Sequence, residues 1–252
     1  MEMFEVRNDA GSERAEILLY DYIGESTDFW TGEKSGISAK AFKEALDACG
    51  GKPVDIRIDS GGGDVFEAFA MCSAIQRYPG ETTACVDGLA ASAASYIAVV
   101  CDEVRMNDYA YLMIHCAHSY ARGNARDLEG VAARLRNIDA NLAAIYQKRS
   151  GMDIEDVLDK MADETWFTAA DAFECGLCTE VVATEERMAA SIDPALAANY
   201  RHVPEGVSVR SEAPKEQGES HAPHTVDAEA VAKAACTILD GKIYWKESKD
   251  EQ

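Results

Sequence analysis

Apolar and polar positions follow two rhythms along the first 183 residues, and each change of rhythm marks an element. Glu16 to Ile23 is mostly apolar and predicts a strand leading into Gly24. Ser38 precedes Ala39 to Ala48, where Phe42, Ala45 and Leu46 share one helical face; Cys49-Gly50-Gly51 closes that helix. Val54 to Asp59 alternates with period two and predicts a strand. Asp64 or its neighbour opens a helix to about Tyr78, burying Val65, Phe69, Cys72, Ala74 and Ile75, and Pro79-Gly80 ends it. Thr82 to Asp87 is β-branched and apolar, a short buried strand that Gly88 is expected to break. From Ala90 the chain is Ala, Ser, Tyr, Ile and Val without charge or proline, which suits a helix packed on most sides.

The second half opens with short strands at Glu103 to Met106 and Ala110 to His115. Asn124 to Arg149 then carries the clearest helical pattern. Leu128, Val131, Leu135, Ile138, Leu142 and Ile145 recur at steps of three and four, a seam near 3.5 residues per turn. Such a seam suits a projecting helix used in self-association, or a long helix packed within its own chain. Helices are expected at Asp153 to Asp163 and, capped by Thr168, at Ala169 to Cys175. Thr179 to Val182 reads as a final strand. After Ala183 the character changes: residues 204 to 224 are rich in Pro, Glu, Ser, Gly and His. The expected organisation is a domain over 1–183, a flexible linker over 184–225 and a tail over 226–252, with one short helix at Val226 to Leu239.

Composition narrows the function classes. The net charge of −21 argues against a nucleic-acid or anionic-membrane surface, because both need clustered Lys and Arg. No apolar run is long enough to span a bilayer. The segment MEMFEVRND has neither a basic stretch nor an apolar run, so a cytoplasmic location is expected. The 8 cysteines sit singly in apolar segments and read as reduced core thiols. Cys175 and Cys178 form a CxxC, but no second pair or nearby histidine completes a metal site, and no cofactor is expected.

Two stretches carry candidate chemistry. Ser60-Gly61-Gly62-Gly63 follows a strand and precedes a helix, which suits a tight turn or a backbone N–H aimed at a substrate oxygen. The P-loop lysine is missing. Ser92 falls at the first turn of the buried helix, where free N–H groups favour developing negative charge. A serine there can attack a carbonyl while a neighbouring N–H receives the oxyanion, although a plain helix cap is also consistent. Ser95 is a rival one turn later. His115 ends an apolar run and His118 follows, so either could serve as a base.

These pieces come in a recognisable order. Ser60-Gly61-Gly62-Gly63, then Gly88-Leu89-Ala90-Ala91-Ser92, then Met113-Ile114-His115, a long helix, and a carboxylate before Trp166-Phe167-Thr168-Ala169-Ala170-Asp171-Ala172. This resembles the ClpP family of self-compartmentalising serine proteases over about residues 15 to 183. It is most similar to the phage-encoded branch, described as head maturation or prohead proteases. The resemblance implies an α/β fold, a crotonase-like spiral of strand-strand-helix units with a projecting handle helix. It implies Ser92 as nucleophile, His115 as general base and Glu164 as the acidic member, with adjacent Asp163 as the alternate. The implied oxyanion donors are the backbone N–H groups of Gly63 and Ala93. Implied partners are further copies of the chain in seven-fold rings, often stacked, and polypeptide substrates that include capsid or scaffold proteins. Gly61 departs from the proline of the housekeeping members. The N-terminal segment does not resemble their ring-pore loops, which leaves an ATPase partner open. The competing readings are a crotonase-type acyl-CoA enzyme and an inactive ring-forming structural protein. A serine-lysine dyad is disfavoured because no lysine lies between Lys52 and Lys148.

Overall fold

The computed structural model of the protein describes residues 6–8, 11–27, 34–183, 190–209, 236–239 and 242–245. Two compact units divide the chain at Ser211. In the second unit, two strands, Cys236–Leu239 and Lys242–Trp245, pair antiparallel. The helix expected at Val226 to Leu239 falls largely outside the described residues, and its last four residues are strand rather than helix.

The first unit is built on one mixed sheet. Strand β1 (Val6–Arg7) lies antiparallel to β2 (Ala15–Leu19). A small ribbon, β3 (Ser26–Thr27) with β4 (Lys34–Ser35), follows. Helix α1 (Ala39–Ala48) is capped by the Ser38 side chain, as its sequence predicts. β5 (Val54–Ser60) lies parallel to β2 and to β6 (Thr82–Ala91). Between them runs α2 (Val65–Arg77), whose first turn is capped by the Asp64 carboxylate. These parallel crossovers cover one face of the central strands, so Ile17, Ile56, Ile58, Ala84 and Val86 are sealed from solvent, while the alternate positions Glu16, Asp55, Arg57 and Asp59 stay partly exposed.

Gly88 does not end β6, against the sequence expectation. The strand runs through it and changes neighbours there. Residues Thr83 to Val86 pair parallel with β7 (Glu103–Asn107), and Leu89 to Ala91 pair parallel with β8 (Tyr111–Ile114). The glycine is needed because an added Cβ would come 2.9 Å from Asp59 Oδ1. The following helix α3 (Ala93–Val100) consequently starts later than Ala90. Its uncharged sequence is matched by burial of every residue from Ala93 to Val99.

Helix α4 (Ala125–Ser150) opens on a reciprocal cap between Asn124 and Asp127 and closes at Gly151 in the left-handed region. Its C-terminal half is fixed by Leu142, Ala143 and Tyr146, which are buried, while Leu128 near its start is 43% exposed. Helix α5 (Ile154–Ala162) packs beside it. Between the two helices expected on either side of it lies a further strand: β9 (Thr165–Thr168) pairs antiparallel with β8. Helix α6 (Ala169–Glu174) and edge strand β10 (Glu180–Val182), parallel to β7, complete the sheet.

The stretch expected to be a linker over 184–225 contains regular structure over 190–209. β11 (Ala190–Ile192) pairs with β12 (Val207–Val209), and α7 (Pro194–Ala197) lies between them. Ala190, Ile192 and Val207 form a small apolar cluster with Leu89, Ala91 and Met113, apart from the main core. The polar composition downstream of Pro204 obscures these few apolar anchors.

Candidate active site

Three neighbouring strands deliver the candidate residues to one edge. Ala91 of β6 pairs with Met113 of β8, and Ile114 of β8 pairs with Thr165 of β9. Ser92, His115 and Glu164 are each one or two residues from those pairs, so their backbones are adjacent by register alone. The Ser92 N–H donates to Met113 O at 3.0 Å and locks the turn into α3. Ser92 itself has φ 54° and ψ −121°, a sparsely populated conformation that costs on the order of 1–3 kcal/mol. The strain turns its side chain outward instead of letting it cap α3, and no side-chain cap bond forms.

Ser92 Oγ and His115 Nε2 lie 2.7 Å apart. Burial pulls the His115 pKa down to about 4, with help from neighbouring His118 and Arg201 and against the pull of Glu164. The imidazole is therefore neutral near pH 7 and able to accept a proton. His118 packs edge-on against it, ring centroids 5.3 Å apart, and makes no hydrogen bond to Ser92. Ser95, the rival serine, is completely buried; its Oγ donates to Ser92 O at 2.7 Å and meets the Tyr146 hydroxyl, so it supports the turn.

Ser92 and His115 open onto a cavity of about 940 Å³ between α2 and α4, lined also by Gly63, Ala93, Tyr96, Leu142 and Tyr146. Ala93 is the first residue of α3, so its N–H is one of the orphan donors of a helix start. Gly63, at φ 155°, is packed so closely on Ile23 that an added Cβ would fall 2.1 Å from Ile23 O. Its neighbour Gly62 donates to Ser60 Oγ and accepts from Ile23 N–H, which fixes the loop beside Ser92. Gly63 and Ala93 thus line the same cavity as the Ser92 hydroxyl.

The carboxylates separate clearly. Asp163 is an exposed residue at the end of α5. Glu164 is 5% exposed and has φ 56°, the only described non-glycine residue besides Ser92 with a positive φ. Its carboxylate makes no hydrogen bond to His115, although it acts on the imidazole electrostatically. Oε1 and Oε2 accept from the Arg201 N–H at 2.9 and 3.0 Å, and Oε1 accepts from the His202 N–H at 3.3 Å. Among the described residues, His115 Nδ1 has no hydrogen-bond partner.

Over residues 44–185 the chain matches the model of the family described as Clp protease. The chain belongs to the Clp protease family. It is 30% identical over 142 residues to ATP-dependent Clp protease proteolytic subunit 1 of Protochlamydia amoebophila, covering 55% of this chain and 69% of that one. It is 28% identical over 134 residues to the ATP-dependent Clp protease proteolytic subunit of Bacteroides fragilis, covering 52% and 65%. For the Porphyromonas gingivalis subunit the identity is 27% over 134 residues, covering 52% and 60%.

Outside this Clp protease region, residues 190–209 add groups that sequence reasoning missed. The Tyr200 hydroxyl donates to Gly61 O, and its ring packs on His115 at 5.5 Å and on Trp166 at 5.6 Å. Leu196 and Ile192 sit so close to Gly61 that a Cβ there would come within 2.9 and 3.2 Å of them. The available signal was a tyrosine and four aliphatic anchors, Ile192, Leu196, Val203 and Val207, inside a polar stretch. No group of three or more His, Cys, Asp or Glu able to hold a metal occurs among the described residues. No helix among them is long and apolar enough to cross a membrane.

Proposed function

We propose that this chain is a serine peptidase that cleaves polypeptides through an acyl-enzyme on Ser92. The observation that carries the reading is the 2.7 Å contact between Ser92 Oγ and a neutral His115 Nε2 at the edge of an open cavity. Membership of the Clp protease family supports it. Ser92 Oγ attacks the scissile carbonyl carbon, and its proton passes to His115 Nε2. The carbonyl oxygen takes the electron pair and is received by the Gly63 and Ala93 N–H groups. Collapse breaks the C–N bond, and His115 returns the proton to the leaving amine. A water then attacks the ester, gives its proton to His115, and the cycle ends with Ser92 reprotonated. The cavity wall of Tyr96, Leu142 and Tyr146 favours an apolar side chain beside the cleaved bond.

The proposed working form is a seven-fold ring of copies, stacked in pairs through α4, acting on capsid or scaffold proteins in a bacterial cytoplasm. The exposed start of α4 and the resemblance to phage-type members support that finer reading. The order of nucleophile, base and glycine loop favours the peptidase over the acyl-CoA reading, which has no need of a serine bonded to a histidine.

A serine-directed fluorophosphonate tests the chemistry. Ser92→Ala should abolish labelling and peptide hydrolysis, and His115→Ala should lower both by ~10⁴–10⁶-fold. His118→Ala should be mild. Labelling that persists in Ser92→Ala removes the nucleophile assignment.

A further inference from the structure

The segment beyond the family region touches the site at the one group that register places beside His115 but that does not bond to it. Glu164 precedes Thr165, whose partner in the ladder is Ile114, so the backbones of Glu164 and His115 are neighbours. The carboxylate nevertheless makes no hydrogen bond to His115 and is bound instead by two consecutive backbone N–H groups of residues 201 and 202. Bonds of this kind to an ionised acceptor are the strong ones. Nothing else among the described residues takes its place on Nδ1 of His115.

We propose that residues 190–209 are an autoinhibitory strap: their backbone amides hold Glu164 away from His115, and lifting the strap completes a Ser92–His115–Glu164 triad. The proposal rests on the serine-peptidase reading above. The strap is anchored on a surface that can be vacated. Its apolar anchors contact Leu89, Ala91 and Met113 in a cluster separate from the main core. Its docking buries Trp166 Nε1 without an acceptor among the described residues, a standing cost of the closed form. The Tyr200 bond to Gly61 O pins it to the loop that borders the oxyanion position. The strap does not seal the cavity: Asn199 lines it together with Ser92 and His115. A small serine probe therefore reaches Ser92 with the strap in place, and its rate reports the state of the triad rather than access.

The test compares fluorophosphonate labelling rates of the full chain and its variants, with the labelled residue mapped by mass spectrometry. Arg201→Pro removes the N–H that both Glu164 oxygens share. Ile192→Asp places a charge in the strap's apolar anchor, outside the cavity that Ser92 and His115 line. Both should label at Ser92 roughly tenfold faster or more, because a correctly placed triad carboxylate is worth up to ~10⁴ in rate. Arg201→Ala, which keeps the N–H, should gain clearly less. Adding Glu164→Gln to either fast variant should cancel its gain, which mere loosening of the fold would not produce. If the parent labels at Ser92 and both variants, folded by circular dichroism, label no faster, the strap is not inhibitory and the peptidase reading stands. A gain that survives Glu164→Gln overturns the triad-completion step. Absence of labelling at Ser92 in every folded form overturns the peptidase reading and the strap with it.

Discussion

At the scale of single residues, the site is organised by where charge is tolerated. His115 is held neutral chiefly because burial disfavours the imidazolium, and the groups facing it pull in opposite directions. His118 and Arg201 disfavour its protonation, Glu164 favours it, and Tyr200 covers the ring. A base works in its deprotonated form, so activity should be lost as pH falls through the pKa of His115. With that pKa at about 4, labelling of the parent should be level from neutral pH down to about 5.5 and fall below it. A rate profile measured from pH 3 to 8 checks this. A midpoint near the ordinary histidine value of 6.5 would show that the closed, desolvated arrangement is not the reacting one. When Glu164 reaches Nδ1 it stabilises the imidazolium, so the Arg201→Pro profile should have its midpoint at higher pH than the parent.

At the scale of elements, the serine turn exists because two loops interlock. The glycine loop after β5 lies against the β6–α3 turn so closely that a Cβ on Gly62 would meet Ala91 O at 2.7 Å, Ser92 Cβ at 2.8 Å and Ala93 N at 2.9 Å. Gly62 also has φ 93°, which only glycine adopts at low cost. Gly62→Ala should therefore cost about 1–3 kcal/mol, read as a lower urea midpoint, and should slow labelling more than its stability loss explains. Unchanged labelling would separate the two loops functionally. Much of this was legible in the chain: the Ser38 and Asn124 caps, the period-two run at Val54, and the uncharged stretch after Ala90 each follow from local physics. Two features were not. Gly88 looks like a breaker, yet it sits where one strand exchanges neighbours, and that depends on Asp59 beside it rather than on its own sequence context. The fate of Glu164 is also hidden, because its partners are backbone N–H groups, which carry no sequence signature. Gly61 makes sense only with the strap present, since Leu196 and Ile192 leave no room for a side chain.

At the scale of the whole molecule, charge and the handle helix oppose each other. Helix α4 is tied to the body through Leu142, Ala143 and Tyr146, but its seam continues to Leu128, which is 43% exposed and outside the cavity. An apolar stripe that begins buried and ends in solvent suits a second copy laid along it. Each copy brings a net charge of −21, so bringing copies together costs Coulomb energy that falls as salt shortens the screening length from about 30 Å at 0.01 M to about 8 Å at 0.15 M. Raising ionic strength over that range should therefore shift the population toward larger assemblies, by light scattering or sedimentation. Leu128→Asp adds a charge to the apolar seam and should weaken association roughly tenfold or more, equivalent to about 1.4 kcal/mol, while leaving the folded monomer intact. Salt and the aspartate act on different terms, repulsion at long range and burial at contact, so high salt should recover only part of what Leu128→Asp loses. Assembly that weakens with salt and ignores Leu128→Asp would instead point to a joint made of ion pairs elsewhere on the surface.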